Sequence, residues 1–284
     1  MTVPGTAPYG RRACSLAVSM RLSDYYEFSD VLSRLRRASA ADVWRWVSTL
    51  PALLSAPPPI DSVAALCQVF PGTTQSQALA LQDELSSDKS FFCALDCEMQ
   101  KRRGRTNIRL EWHTFLYSAV RIVRPKVVLE TGVFDGISSS LILRALERNA
   151  AGTLVSIDLP AREMITDATD RMREGALPWH CDPGWIVPEG LRERYRLHLG
   201  DSKQLLPGLL KEYGQLDIFL HDSLHTYQHQ FFEYEVAWPY LVQGGLLLSD
   251  DIFWSRAFHR FVSKQKLQYM NTGNFGIVRK PGSR

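Results

Sequence analysis

The sequence predicts an α/β fold: an open, mostly parallel sheet of seven strands, a C-terminal hairpin and an N-terminal helical cap. Three observations predict it. Short β-branched, apolar runs recur from residue 127 onward, most of them ending on an acid. Stretches with apolar residues at helical spacing separate these runs. A turn bearing two glycines, Glu130-Thr131-Gly132-Val133-Phe134-Asp135-Gly136, joins the first run to a helix.

The elements follow in order. Arg11-Arg12 ahead of Ala13 to Met20 faintly resembles an export signal, but the apolar part is short and no A-x-A site follows. Residues 1–20 are therefore expected to be a disordered leader. Residues 21–105 read as helical. Asp30 to Arg37 and Ala41 to Leu54 carry helical spacing (Val31, Leu32, Leu35; Val43, Trp46, Val47, Leu50), Pro57-Pro58-Pro59 is a rigid break, and Ser76 to Leu85 reads as another helix. Trp44 and Trp46 cannot share one helix face, so one is expected to pack on the main domain or on a second copy of the chain. This region is expected to shape the substrate entrance or a homo-oligomer contact. Lys101-Arg102-Arg103-Gly104-Arg105 reads as a solvated loop before the domain at 106–284.

Within that domain, Glu111 to Val123 is a helix with Leu116, Val120 and Val123 along one stripe. Val127 to Leu129 is the first strand. Gly132 and Gly136 let the following turn bring backbone N–H groups close to a ligand. Ser138 to Ser140 supply capping hydroxyls to a helix carrying Leu141, Ile142, Ala145 and Leu146. Thr153 to Ile157, Arg196 to Leu199 and Asp217 to Leu220 are the next strands, ending at Asp158, Asp201-Ser202 and Asp222. Gly244-Gly245 precedes the fifth, Leu246 to Ser249, which ends at Asp250-Asp251. A lone acid at a strand end is usually a helix cap. Several in succession, in a sheet whose ligands bind at the carboxyl ends of strands, point to one crevice. Residues 160–191, rich in Pro, Gly and Trp, read as a lid in which Trp179, His180 and Trp185 could stack on substrate or simply pack. Leu267 to Asn271 and Phe275 to Arg279 flank Thr272-Gly273-Asn274, a hairpin signal.

Composition excludes several classes. The chain has 284 residues, 45% of them apolar, which is enough for one substantial core and an appendage. A net charge of +3 implies no nucleic-acid partner, and no apolar run reaches membrane-span length. The five cysteines contain no C-x-x-C pair, and their odd number suits a reducing, cytoplasmic setting. Cys93 and Cys97 stand at a helical-face spacing. The turn after residue 129 is also not a P-loop, since no Lys-Ser/Thr pair follows the second glycine. It lacks the third glycine of the dinucleotide fingerprint. Glu130 would repel a phosphate and favour a ligand with positive charge or free hydroxyls.

The E-x-G-x-x-x-G segment resembles motif I of the class I S-adenosylmethionine-dependent methyltransferases, which have a Rossmann-like fold. His221-Asp222-Ser223-Leu224-His225-Thr226-Tyr227, followed by Gly244-Gly245 and Asp250-Asp251, sharpens the likeness. It resembles the metal-dependent subset with the macrocin-type and novobiocin-type sugar O-methyltransferases and the cephalosporin hydroxylase-like proteins. The resemblance covers roughly residues 111 to 279 and implies a final antiparallel strand inserted in the sheet. It implies S-adenosylmethionine held by Thr131, Gly132, Gly136 and Ser138 around its methionine part, with Glu130 aiding the amino-acid or ribose side, by Asp158 at the ribose, and by Asp201 and Ser202 near the adenine, with Asp222 beside it. It further implies Mg²⁺ on Asp222, Asp250 and Asp251, lowering the pKa of an acceptor hydroxyl of a sugar or secondary metabolite. Where that subset has an acid two residues after the first Asp, this chain has Leu224. Proton removal would then fall to His225, which could equally be structural. Two other readings stay open: a catalytically silent module that binds the cofactor, and a nicotinamide-dependent oxidoreductase.

Overall fold

The structure, a computed structural model, describes residues 47, 50, 51, 54–104, 112–160, 166, 167, 170, 171, 177, 178 and 180–282. The expected leader, the helix over Asp30 to Arg37, most of that over Ala41 to Leu54, Trp44, Trp46, Trp179 and much of the expected lid lie outside these residues. Strands β1 (Val127–Thr131), β2 (Thr153–Asp158), β5 (Tyr195–Leu199), β6 (Leu216–His221), β7 (Leu241–Ser249), β8 (Met270–Asn271) and β9 (Gly276–Arg279) form one seven-stranded sheet. Its order is β5-β2-β1-β6-β7-β9-β8. The first five strands are parallel, and β9 runs antiparallel between β7 and β8. Two two-residue strands, β3 (Thr166–Asp167) and β4 (Asp170–Arg171), pair separately within the expected lid.

The apolar runs are nearly continuous because helices cover both faces of the sheet. Alternate residues of each strand then enter different cores. Val128, Leu154, Ile218, Leu246, Leu248 and Ile277 meet α4 (His113–Val123) and α5 (Ile137–Asn149). Leu129, Val155, Phe219, Leu247 and Val278 meet α6 (Ser202–Tyr213), α7 (Tyr227–Ala237) and α8 (Ala257–Lys264). Helices α1 (Ser62–Val69), α2 (Gln75–Ser86) and α3 (Lys89–Arg103) join the first of these cores through Leu66, Leu85, Leu95 and Met99. A fork from Arg121 to Glu84 and a pair from Arg144 to Asp88 fasten them to α4 and α5. No helix among the described residues is long and apolar enough to cross a membrane.

Three details differ from expectation. The basic run is no solvated loop: Lys101 to Arg103 form the last turn of α3, where cations suit the helix dipole, and Gly104 closes it in the left-handed region. Gly244-Gly245 lies inside β7 rather than before it, at an irregularity in the pairing with β6. Gly244 takes φ 78°, and a Cβ on Gly245 would lie 2.8 Å from the Asp217 carbonyl oxygen. Helix α5 starts on Gly136 with no side-chain cap, because the serines expected to cap it bond elsewhere.

Candidate functional site

Strands β1, β2, β6 and β7 end side by side, so their terminal residues share one rim. Two backbone approaches shape it. Gly132, at φ 85°, lies so close to the loop after β6 that a Cβ would sit 2.0 Å from the Asp222 carbonyl oxygen. Gly136, at φ 96°, faces Gly184, whose Cα a Cβ there would reach at 2.7 Å. Both glycines are therefore required by sterics as well as by conformation. The loop between them is clasped by Asp158, whose Oδ2 accepts from the amides of Val133 at 2.6 Å and Phe134 at 2.9 Å. Burial raises the Asp158 carboxyl above the usual range against those two bonds.

Glu130 ends wholly buried. Its carboxylate accepts from Ser138 at 2.6 Å, Ser139 at 2.5 Å and Ser156 at 2.7 Å. The expected capping hydroxyls of Ser138 and Ser139 are spent on this acid, and that of Ser140 returns to the Gly136 carbonyl. Burial raises the Glu130 carboxyl, and the three hydroxyls only partly oppose it. Asp201, expected near the adenine, caps α6 by accepting from the Lys203 amide at 2.9 Å.

The other end of the rim is acidic. Asp222 follows β6 and Asp250 follows β7, with their strands paired at His221 and Ser249. Burial, then the charges of Asp250 and Asp251, push the Asp222 carboxyl well above the usual range. Asp251 adopts φ 51° and accepts from the side-chain amide of Asn274. Neither Asp250 nor Asp251 caps α8, which starts on Arg256. The oxygen chemistry of this set suits Mg²⁺. Among the described residues, no three His, Cys, Asp or Glu side chains are set to hold a metal ion.

His225 lies behind Asp222, with its Nε2 3.9 Å from Asp222 Oδ1, beyond hydrogen-bond reach. It is 2% exposed, and burial aided by His221 lowers its pKa to about 3. A neutral, sealed imidazole is a weak proton acceptor at neutral pH, which favours the structural alternative left open for this residue.

Sequence reasoning missed Glu233. This fully buried residue of α7 accepts from Thr131 at 2.6 Å and His221 Nδ1 at 2.6 Å on Oε2. On Oε1 it accepts from Ser202 at 2.5 Å and Ser223 at 2.9 Å, and faces His229 Nε2 at 2.9 Å. Burial opposes its charge, but His221 and His229 hold the carboxyl far below the usual range. A signal existed in the sequence: Glu233 falls one helical turn after His229 and beside Tyr234 and Ala237, on the inward face of α7. Arg103 and Asp135 were missed as well. Arg103 donates to Asp135 Oδ1 at 2.6 Å, Trp185 Nε1 donates to the same oxygen at 2.8 Å, and the Arg103 guanidinium lies 4.7 Å from the Phe134 ring centre.

The arrangement can hold a hydroxyl-bearing, cationic ligand across the strand ends, between Asp158 and Asp222. Residues 129–252 match the family model described as a methyltransferase domain. No curated protein matches the chain. Among solved structures, the chain is similar to the O-methyltransferase TomG from Streptomyces achromogenes in complex with SAM, at 19% identity and TM-score 0.48, covering 66% of this chain and 90% of that one. It is similar to the SAH-bound methyltransferase PaMTH1 from Podospora anserina at 15% identity and TM-score 0.48, covering 70% and 97%. It is also similar to cofactor-bound Rv0187 from MTB at 16% identity and TM-score 0.49, covering 81% and 100%.

Proposed function

We propose that the chain is a class I S-adenosylmethionine-dependent methyltransferase, a reading supported by the match of residues 129–252 to a methyltransferase domain, and that it methylates a hydroxyl group of a small molecule such as a sugar or secondary metabolite. The observation that carries this reading is the rim itself. A loop of close-packed glycines faces an acid at one end, and the clustered carboxylates of Asp222, Asp250 and Asp251 stand at the other. A donor with ribose hydroxyls and a sulfonium centre answers both.

In this reading Asp158 keeps its clasp on the loop through Oδ2 and offers Oδ1 to the ribose hydroxyls. Thr131, Gly132 and Gly136 line the methionine part through backbone, while Glu130 and Ser138 support that loop from beneath. Asp201 and Ser202 stand at the adenine end. The sulfonium methyl group is already activated, so the protein mainly orients the donor and acceptor and excludes water. Asp222 has a side chain 28% exposed, whereas that of His225 is 3% exposed. Asp222 is accordingly the group that takes the acceptor's proton, and His225 packs behind it. Asp222, Asp250 and Asp251 would hold a Mg²⁺ if one binds, where it would lower the pKa of an acceptor hydroxyl, and no step is routed through it. The proposal includes an N-terminal helical region ahead of residue 106, self-association of the chain through it, and a cytoplasmic location.

Calorimetry tests the reading. S-adenosylmethionine and S-adenosylhomocysteine should each bind with measurable heat at one site per chain, while NADH gives none. No heat with either ligand at millimolar concentration would overturn it. Repeating the titration and the turnover assay with EDTA and then with added Mg²⁺ tests the metal: turnover lost with EDTA and restored by Mg²⁺ would put a cation on these carboxylates, and equal turnover in both would dispense with it. A silent relative would bind the donor yet release no S-adenosylhomocysteine with any hydroxylated acceptor.

A further inference from the structure

Three segments of the rim are expected to meet three parts of the donor: the β1 end at Thr131, the start of α6 at Ser202, and the loop after β6 at Ser223. They come from positions 131, 202 and 223, and side chains from all three converge on Glu233. His221 adds the last residue of β6 to the same carboxylate, and His229 adds a second contact from α7, 2.8 Å from Ser202 Oγ as well. Every one of these partners is buried except Ser223, which is half-buried.

We propose that Glu233 is a positioning residue for the donor site: one buried carboxylate that ties the methionine, adenine and transfer ends of the groove to a common point. The inference rests on the methyltransferase reading and deepens it. A carboxylate suits this task, since two oxygens supply about four acceptor sites that can be shared among donors from separate elements. Neutral isosteres do not. Glutamine has one acceptor oxygen and a donor amide, so several hydroxyl and imidazole donors would lose a partner while staying buried, which is unfavourable. The groups facing Glu233 are Thr131, Ser202, His221, Ser223 and His229, so no opposing charge on another element would take over its role. A tie beneath the groove should act on the whole donor at once, unlike a residue that touches one part of it.

The test compares Glu233→Gln, Thr131→Val, Ser202→Ala and Ser223→Ala with the unaltered chain, at a temperature where circular dichroism shows each folded. Glu233→Gln should weaken S-adenosylhomocysteine binding by calorimetry at least about tenfold. Amide hydrogen exchange should rise together at residues 131–136, 200–203 and 222–226, while the centres of β1 and β6 keep their protection. Excess S-adenosylhomocysteine should restore the protection. Equal affinity in Glu233→Gln, or faster exchange spread evenly through the sheet, would overturn the proposal by making Glu233 a stability residue only. If Glu233→Gln does not fold, the three hydroxyl variants decide. Each should weaken binding and loosen the other two segments as well as its own; an effect confined to the altered segment would sink the idea. If the unaltered chain itself binds no S-adenosylhomocysteine, the methyltransferase reading fails first, and the exchange pattern still reports on the tie.

Discussion

Glu130 and Glu233 are the same residue type, each 0% exposed, and their carboxyls shift in opposite directions. Glu130, under the β1 corner, accepts from three serine hydroxyls and, among the described residues, from no cation. Glu233, under the β6 corner, meets hydroxyls too, but also two imidazoles. Burial disfavours the charge at both sites, so partners decide the outcome. At the β1 corner desolvation wins and the carboxyl rises. At the β6 corner His221 and His229 win and it falls. The first corner is a rigid support for a glycine turn; the second is an ionic knot that joins several elements.

The largest expected effect breaks the boundary between the two corners. They touch where Gly132 meets the Asp222 carbonyl, and Gly132→Ala puts a methyl group 2.0 Å from that oxygen at a positive φ. Backbone on both sides cannot yield cheaply. Stability should fall by about 3 kcal/mol or more in urea denaturation, and S-adenosylmethionine binding should vanish. Retained binding would show that the corners are not in contact as described.

Glu233→Gln comes next, with a loss of about 2–4 kcal/mol at neutral pH. The sign follows from its depressed folded pKa. Its contribution is present above the unfolded value near pH 4.3 and is lost as pH falls below it, so the gap between variant and parent should close in acid. Glu130→Gln should behave in the opposite sense. A raised folded pKa means that Glu130 stabilises most below the unfolded value of about pH 4.3 and less as pH climbs through its folded value. Its substitution should cost under about 1 kcal/mol at pH 7, and less there than at pH 4. Parallel pH–stability curves for the two variants would erase the contrast.

The same contrast explains what was legible in the sequence. Strands β1, β2 and β6 and the final hairpin could be read because both sheet faces are buried at these strands and the hairpin has a clear turn signal. Acids at strand ends could be read because topology alone sends them to one rim. Their partners could not. Whether Asp158 binds a ligand or also clasps Val133 and Phe134 depends on loop geometry, as does the diversion of Ser138 and Ser139 from capping to Glu130. Glu233 looked like one more helix acid, since a lone charge on a helix is usually solvated. The basic run at the end of α3 misled for the same reason: exposure is a property of what packs above a residue, and for Arg103 that is Phe134 and Asp135.

Arg103 offers the smallest and most local test. Its ion pair with Asp135 holds side chains 15% and 2% exposed, so screening by salt should be weak. Arg103→Ala leaves the Trp185 indole N–H on Asp135 Oδ1 and removes the cation beside the Phe134 ring. The cost should be about 1–2 kcal/mol, nearly unchanged between low and high salt. Because the pair holds the loop from outside and Glu233 holds its base from beneath, the two losses should add when combined with Glu233→Gln. Strong non-additivity in a double-mutant cycle would mean that the β1 loop transmits strain between them, and the two corners would have to be treated as one cooperative unit.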